Sequence, residues 1–115
     1  MQLYSTNNIS ENVGFEEAIF RGLPPDNGLY MPSFIPQLSE EFWENVDKLS
    51  LQEIAFEISN CLIGEDVPVD DLRKIIIRAI DFEAPVVQVS GNIYCLELFH
   101  GTSMAFKDFG ARFMA

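Results

Sequence analysis

Basic side chains are scarce in this chain of 115 residues, where seven Lys and Arg stand against 18 Asp and Glu, for a net charge of −11 at pH 7. The acidic excess lies in residues 1–72, which carry 14 acids and two bases, whereas residues 73–115 carry four acids and five bases. Proteins bind DNA and RNA through clustered Lys and Arg that neutralise phosphates. The charge pattern therefore argues against a nucleic-acid partner and indicates an acidic, solubilising surface.

Histidine and cysteine are also scarce, with His100 the single histidine and Cys61 and Cys95 the two cysteines. Two distant cysteines make neither a disulfide framework nor a cluster of metal ligands, and one histidine cannot form a multi-histidine metal site. We therefore expect no metal. Both cysteines lie within apolar patterns, so we expect them to be buried free thiols.

Long apolar runs are absent as well. The isoleucines at 75–77 are bordered by Arg73, Lys74 and Arg78, and a membrane span needs roughly 20 continuous apolar residues. The first six residues lack the basic region and apolar core of a secretory signal. We predict a cytoplasmic protein that does not enter a membrane.

What the chain does contain is 48% apolar residues, including ten phenylalanines, enough for one small domain with a modest core. Its first half predicts short elements: an edge strand at 2–6, a turn at 7–10, a helix at 15–20, a strand at 29–31 that pairs with the first, and a helical turn at 39–45. Gly22 is a plausible stop for the first helix. The helical turn would bury Phe42 and Trp43.

Two longer amphipathic helices follow. Ser50 and Glu53 form a capping box that starts the first, which ends near Gly64. Pro68 stands where a helix start tolerates proline, and acids occupy the first turn of the second helix. The predicted buried stripes are Leu51, Ile54, Ala55, Ile58 and Leu62 in the first helix, and Leu72, Ile75, Ile76, Ala79 and Ile80 in the second.

The sequence pattern changes from helical to strand-like at residue 84. Residues 85–89 and 93–99 predict two strands joined by a turn at 90–92, and a loop at 100–103 leads into a helical pattern. Phe106, Phe109, Phe113 and Met114 cluster on one side of that pattern. We therefore predict an α/β protein, with a small α+β domain at 1–83 and the start of a second domain at 84–115.

Lys107 is the residue that points to chemistry. It stands at the start of the last predicted helix, flanked by Phe106 and Phe109. Apolar surroundings and a helix amino terminus both disfavour the ammonium form, and a neutral amine is what an aldehyde cofactor requires for a covalent bond. The alternative is a surface lysine that forms an ion pair with Asp108 or Glu97.

The segment around this lysine, residues 100–113 (HGTSMAFKDFGARF), resembles the lysine-bearing segment of the threonine synthase family. Residues 5–7 (STN), 22–26 (GLPPD) and 28–32 (GLYMP) resemble the amino-terminal signatures of the same family, in the same order. The family usually has proline, threonine and leucine where this chain has Thr102, Ser103 and Met104, so the geometry of this loop is open.

The resemblance implies a fold-type II enzyme that uses pyridoxal 5'-phosphate to convert O-phosphohomoserine and water to threonine and phosphate. Lys107 matches the lysine that binds the cofactor and then transfers protons, which makes it the expected cofactor-binding and catalytic residue. Ser103 is a candidate substrate contact by the same analogy. His100 either binds an anionic group of the ligand or braces the loop, and Asp108 either caps the helix or pairs with Arg112.

The pattern of the last helix still runs at Ala115, so we expect a piece of a longer enzyme that is inactive and free of cofactor by itself. We also expect residues 84–115 either to associate with a second copy or to fold back on the amino-terminal helices in a non-enzymatic arrangement, because their apolar surfaces lack partners. Two other functions stay open: a related enzyme that removes phosphate from another phosphorylated amino acid, and a non-catalytic assembly module.

Overall fold

A three-stranded antiparallel sheet opens the fold in the computed structural model, which describes residues 1–8 and 11–115. Its strands are β1 (Gln2–Ser5), β2 (Asn12–Gly14) and β3 (Tyr30–Pro32), in the order β2-β1-β3. The predicted pairing of β3 with β1 is confirmed. The prediction that β1 is an edge strand is wrong, because β2 pairs along its other side. The three residues of β2 are too few to show alternation. Two residues of the predicted turn, Ile9 and Ser10, lie outside the described residues.

The first helix, α1 (Phe15–Arg21), ends where the sequence predicts. Gly22 follows it with φ 71°, in the left-handed region, and donates its N–H to the Ala18 carbonyl at 3.0 Å. A residue without a Cβ adopts this conformation without strain. The predicted stop at Gly22 is therefore confirmed.

Helix α2 (Glu40–Asn45) begins at Ser39, whose Oγ accepts the Phe42 N–H at 3.1 Å, and a 3-10 turn at Val46–Lys48 follows it. Phe42 is buried, but Trp43 is 61% exposed, so the predicted burial of Trp43 is wrong. Successive helical side chains project about 100° apart, and a helix on the surface of a core therefore buries one of two neighbours.

The core lies between α3 (Leu51–Ile63) and α4 (Val69–Ala79). The predicted capping box is confirmed, since Ser50 Oγ accepts the Glu53 N–H and the Glu53 carboxylate accepts the Ser50 N–H. The α4 stripe is confirmed by three side chains with almost no exposure: Leu72 at 0%, Ile76 at 2% and Ala79 at 0%. This face of α4 is the most deeply buried surface of the described chain.

The predicted stripe of α3 is partly wrong. Leu51 and Ile58 are 37% and 39% exposed, whereas Phe56 and Ile63 are buried against α4. Phe56 and Ile63 are seven residues apart and share one face of the helix. Helix α3 is apolar on more than one side, so its periodicity could not specify which side α4 covers.

The second half consists of a hairpin, β4 (Val86–Ser90) and β5 (Ile93–Leu96), and helix α5 (Lys107–Met114). Every residue of β4 and β5 is exposed. Cys95, on β5, is therefore an exposed free thiol and Cys61 a half-buried one, so the expected burial of both is wrong. The mixed α/β composition that the sequence predicts is confirmed.

Helix α5 packs back on α4. Phe113 lies against the core cluster, and Arg112 donates to the Arg78 carbonyl at 2.8 Å and forms an ion pair with Asp81 at 2.6 Å. Phe109 contacts Phe82 with ring centroids 4.7 Å apart and the ring planes tilted by 54°. The predicted apolar side of this helix is only half covered, because Phe106 and Met114 are 68% and 65% exposed.

Replacing Ile76 with alanine should lower the free energy of unfolding by about 2–5 kcal/mol, because the change empties a buried site that the surrounding side chains cannot close. The matched control is Ile77→Ala, one residue along the same helix, where the side chain is 59% exposed and a loss below about 0.5 kcal/mol is expected. Urea unfolding followed by circular dichroism measures both. Equal losses at the two positions would show that the buried face of α4 is assigned wrongly.

Candidate active-site loop

Lys107 is the first residue of α5, as predicted, and its side chain is exposed. Among residues 1–8 and 11–115, its amino group has neither a hydrogen bond nor an ion pair. The other two lysines differ, since Lys48 donates to Asn45 at 2.7 Å and Lys74 pairs with Asp71 at 2.8 Å. The amine of Lys107 is therefore available to a ligand.

The predicted alternative, in which Lys107 pairs with Glu97 or Asp108, is not what the structure has. Glu97 Oε2 lies 2.7 Å from His100 Nε2, and both oxygens of Asp108 accept hydrogen bonds from Ser103. The expected apolar surroundings are also missing within the described residues. Phe109 turns towards Phe82 and Phe106 points into solvent, so neither ring encloses the lysine.

Asp108 shapes the loop in front of the lysine. Its side chain is buried, with Oδ2 accepting the Ser103 N–H at 2.7 Å and Oδ1 accepting the Ser103 hydroxyl at 2.6 Å. These bonds, to the hydroxyl first and then to the backbone, hold the pKa of Asp108 below its ordinary value, and the Arg112 charge adds a smaller effect. A carboxylate that accepts two hydrogen bonds is stabilised in its charged form.

The sequence predicts that Asp108 either caps the helix or pairs with Arg112. Neither is its main contact, since none of the described side chains caps α5 and Arg112 pairs with Asp81. The aspartate instead reaches back five residues to Ser103. A Ser and an Asp at this spacing carry no recognised helix-start signal, so the contact could not be read from the sequence.

The loop itself is a tight turn. The Met104 N–H donates to the Gly101 carbonyl at 3.1 Å, and Met104 has φ 55°, a left-handed conformation that is uncommon outside glycine. A Cβ placed on Gly101 would lie 2.3 Å from Asp108 Oδ2, so only glycine leaves room for the carboxylate. Turn and carboxylate together determine where Ser103 lies.

Ser103 and His100 each have a partner within the loop. The Ser103 proton is donated to Asp108, so its hydroxyl can only accept a hydrogen bond from a ligand. The His100 ring stacks on Phe99 with centroids 4.8 Å apart and contacts Glu97. These contacts support the interpretation of His100 as a residue that braces the loop.

A second polar cluster lies in the amino-terminal signatures. Ser5 is buried and donates its hydroxyl to Asp26 at 2.7 Å, and the Gly28 N–H donates to the same oxygen at 2.9 Å. These two bonds, with the Ser5 bond the stronger influence, lower the pKa of Asp26. The cluster joins β1 to the loop before β3, which gives these signature residues a structural role.

Other kinds of site have less support. The described residues include no group of three or more His, Cys, Asp and Glu side chains placed to hold a metal ion. Within residues 1–8 and 11–115, no helix has both the length and the apolar character needed to cross a membrane.

Known proteins resemble both the fold and this loop. Residues 2–80 match the family model described as threonine synthase N terminus. The chain is 38% identical over 115 residues to threonine synthase from Escherichia coli (strain K12) and 43% identical over 115 residues to that from Haemophilus influenzae. Each alignment covers 100% of this chain but 27% of the relative.

Two solved structures share the arrangement. The crystal structure of threonine synthase from Escherichia coli matches with a TM-score of 0.92 at 38% identity, over 99% of this chain and 27% of that chain. PLP-bound threonine synthase from Brucella melitensis matches with a TM-score of 0.85 at 32% identity, over 99% and 26%. The described fold is therefore that of the corresponding region of these enzymes, and the expectation that residues 84–115 fold back in a non-enzymatic arrangement is wrong.

The chain belongs to the threonine synthase family. It spans about 27% of the length of the curated relatives that it matches. The resemblance noted around Lys107 and in the amino-terminal signatures is thus confirmed at the level of the family.

The stabilising contribution of Asp108 should depend on pH. Because folding lowers its pKa, the contribution is complete above the pKa of the unfolded chain, about 3.9, and is lost as the pH falls through the lower folded value. Asp108→Asn should therefore destabilise the chain at neutral pH, and this difference should shrink in acid. Urea unfolding at a series of pH values measures it.

Ser103→Ala serves as the control for this experiment. It keeps the carboxylate and the backbone donor but removes the hydroxyl, which is the larger cause of the lowered pKa of Asp108. The variant should therefore retain only part of the pH-dependent difference. A loss in Asp108→Asn that stays constant from neutral to acidic pH would contradict the assignment.

Proposed function

We propose that this chain forms the amino-terminal part of a pyridoxal-phosphate-dependent threonine synthase, which converts O-phosphohomoserine and water to threonine and phosphate. Lys107 would bear the cofactor and act as the catalytic base. Family membership supports the reaction, and the free amine of Lys107 is the observation that carries the assignment. Both acids that could pair with the amine are held by other residues.

The residues present fit the cofactor in one respect. An exposed amine at a helix start, with no partner among the described residues, is accessible to an aldehyde, and bound pyridoxal phosphate supplies an aldehyde for covalent attachment and an electron-withdrawing ring. The chain's own contribution is to present Lys107 Nζ, which would form that bond with release of one water and would carry the transferred proton.

Ser103 is the proposed substrate contact. Since its proton is donated to Asp108, the hydroxyl would accept a hydrogen bond from a donor such as the substrate amino group. The Ser103 N–H is likewise committed to Asp108. An anionic group of the substrate therefore has no donor at Ser103 and must be bound by other residues.

We also propose that the chain divides into an amino-terminal domain at 1–83 and the start of a catalytic domain at 84–115. The end of the family match at residue 80 supports this division.

We further propose that the protein resides in the cytoplasm, as the sequence predicts. Fractionation of cells that express the protein would test this location.

Lys107 can be tested in a hybrid protein, in which this chain replaces the matching region of the Escherichia coli threonine synthase. Borohydride reduction in the presence of pyridoxal phosphate should attach the cofactor to Lys107, as located by peptide mass mapping. Lys107→Ala should abolish threonine formation without a change in the fold, because it removes a functional group from an exposed position.

The matched control is Lys74→Ala, another exposed lysine, whose loss removes only a surface ion pair with Asp71. This variant should keep the activity of the parent hybrid. Attachment of the cofactor to Lys48, to Lys74 or to a lysine beyond this chain would contradict the assignment of Lys107 as the cofactor-binding residue. Turnover of a different phosphorylated amino acid in place of O-phosphohomoserine would favour the related lyase.

Self-association of the isolated chain is a separate proposal, carried by the exposed hairpin. Val86, Val89 and Ile93 are 65–66% exposed, and β4 and β5 form a sheet of two strands whose outer edges have no partner within the described part of the chain. Exposed apolar side chains beside an open strand edge favour pairing with another strand. The hairpin is therefore the expected contact between copies.

The isolated chain should consequently form dimers or larger species whose fraction rises with concentration, as measured by size-exclusion chromatography with light scattering. Ile93→Lys should shift the chain towards the monomer. Ile77→Lys is the control, since Ile77 is similarly exposed at 59% but lies on α4. A chain that stays monomeric at high concentration would refute this proposal and leave the enzymatic one untouched.

A further inference from the structure

Asp108 is the neighbour of Lys107, but the proposed cofactor-binding and substrate-binding roles fall to Lys107 and Ser103 and leave Asp108 without one. Its two oxygens bind two donors of one residue, the N–H and the hydroxyl of Ser103. A single hydrogen bond allows rotation about itself, whereas two bonds from both carboxylate oxygens restrain position and orientation together. Ser103 is therefore clamped to the first turn of α5.

Gly101 makes this clamp possible. A Cβ at position 101 would lie 2.3 Å from Asp108 Oδ2 and 2.7 Å from Asp108 Cβ, distances too short for any side chain. The Gly101 carbonyl also accepts the Met104 N–H, which closes the turn around Ser103. The Asp108 side chain thus occupies the space that a side chain at position 101 would need.

The clamp bears on Lys107 through the helix. Adjacent helical side chains project about 100° apart, so an Asp108 side chain that is buried in the loop leaves Lys107 pointing outwards, as is observed. The same bonds occupy the nearest carboxylate in the sequence, which would otherwise be free to pair with the lysine ammonium. Both effects follow from one contact.

We infer that Asp108 is a positioning residue for the lysine: in the space left by Gly101, its carboxylate clamps Ser103 to α5 and sets the direction in which Lys107 presents its amine to the cofactor. This inference rests on the proposed role of Lys107. Asp108 acts through Ser103 and Lys107 and does not itself touch the reacting atoms.

The test uses the hybrid protein freed of cofactor, to which pyridoxal phosphate is added. The rate of covalent attachment is followed by absorbance, attachment is located by borohydride reduction, and kcat and KM are measured separately. Asp108→Ala and Gly101→Ala should each slow attachment and lower kcat by about tenfold to a hundredfold, since a misplacement of about 1 Å has effects of this size. KM should change less.

The double variant should be no worse than the more damaging single one, because both changes break the same contact. Gly110→Ala is the matched control for Gly101→Ala. It adds the same methyl group on α5, where a Cβ meets no atom within 4 Å. It should attach the cofactor at the rate of the parent.

Asp108→Asn is the conservative variant. Its oxygen can accept the Ser103 N–H while its amide donates to Ser103 Oγ, so it should recover most of the attachment rate lost in Asp108→Ala. Ser103→Ala, which keeps the backbone bond to Oδ2, should be affected less than Asp108→Ala. Urea unfolding of every variant separates a loss of folding from a loss of positioning.

The outcomes distinguish the two proposals. A folded parent hybrid that attaches no cofactor at Lys107 overturns the proposed function and this inference with it. A competent parent whose Asp108→Ala and Gly101→Ala variants attach cofactor at the parent rate overturns the inference alone. Losses that follow the loss of stability across all variants, with no recovery in Asp108→Asn, would also overturn it.

Discussion

The contact between α3 and α4 organises the described chain, and its centre is the pair Leu72 and Ile76, whose exposures are 0% and 2%. Phe113 of α5 packs against the same cluster, and Arg112 attaches α5 to the end of α4. Because buried side chains are closely packed, the position of α5 follows that of α4. The hydrophobic core therefore determines where the helix that begins at Lys107 lies, while the loop determines how its first turn is oriented.

Charge pairing explains why the lysine stays free. The chain has a net charge of −11, so an exposed lysine has many carboxylates available to it. The two acids that the sequence suggests as partners are occupied, Glu97 by His100 and Asp108 by Ser103. Lysines elsewhere in the chain have partners at their amino groups. An amine with no ion pair among the described residues can meet a ligand without first giving up a protein partner, which suits a residue proposed to form a covalent bond.

An aspartate that accepts hydrogen bonds from a serine hydroxyl and a backbone N–H, next to a glycine, occurs twice in this structure. Asp26 accepts from the Ser5 hydroxyl and the Gly28 N–H, as Asp108 accepts from the hydroxyl and N–H of Ser103. In both places a glycine leaves the space, since a Cβ on Gly28 would lie 2.1 Å from Ser5 Oγ. Each cluster attaches a loop without regular hydrogen bonding to an ordered element, β1 in one case and α5 in the other. Because a carboxylate accepts several bonds at once, it suits this task.

The sequence by itself determined the features that depend on neighbouring residues: the capping box of Ser50 and Glu53, the stop at Gly22, the buried face of α4, and Lys107 at a helix start. These signals depend on residues close together in the sequence, so they can be recognised without knowledge of the fold. Tertiary structure decided which side of α3 is buried, that Trp43 and Cys95 are exposed, that β1 is a central strand, and that Asp108 holds Ser103. The exposures and the strand order depend on which surface another element covers. Because α3 and β5 carry apolar side chains on more than one face, periodicity allowed several answers and packing selected one. The contact between Asp108 and Ser103 depends instead on how the loop folds, for which their spacing gives no local signal.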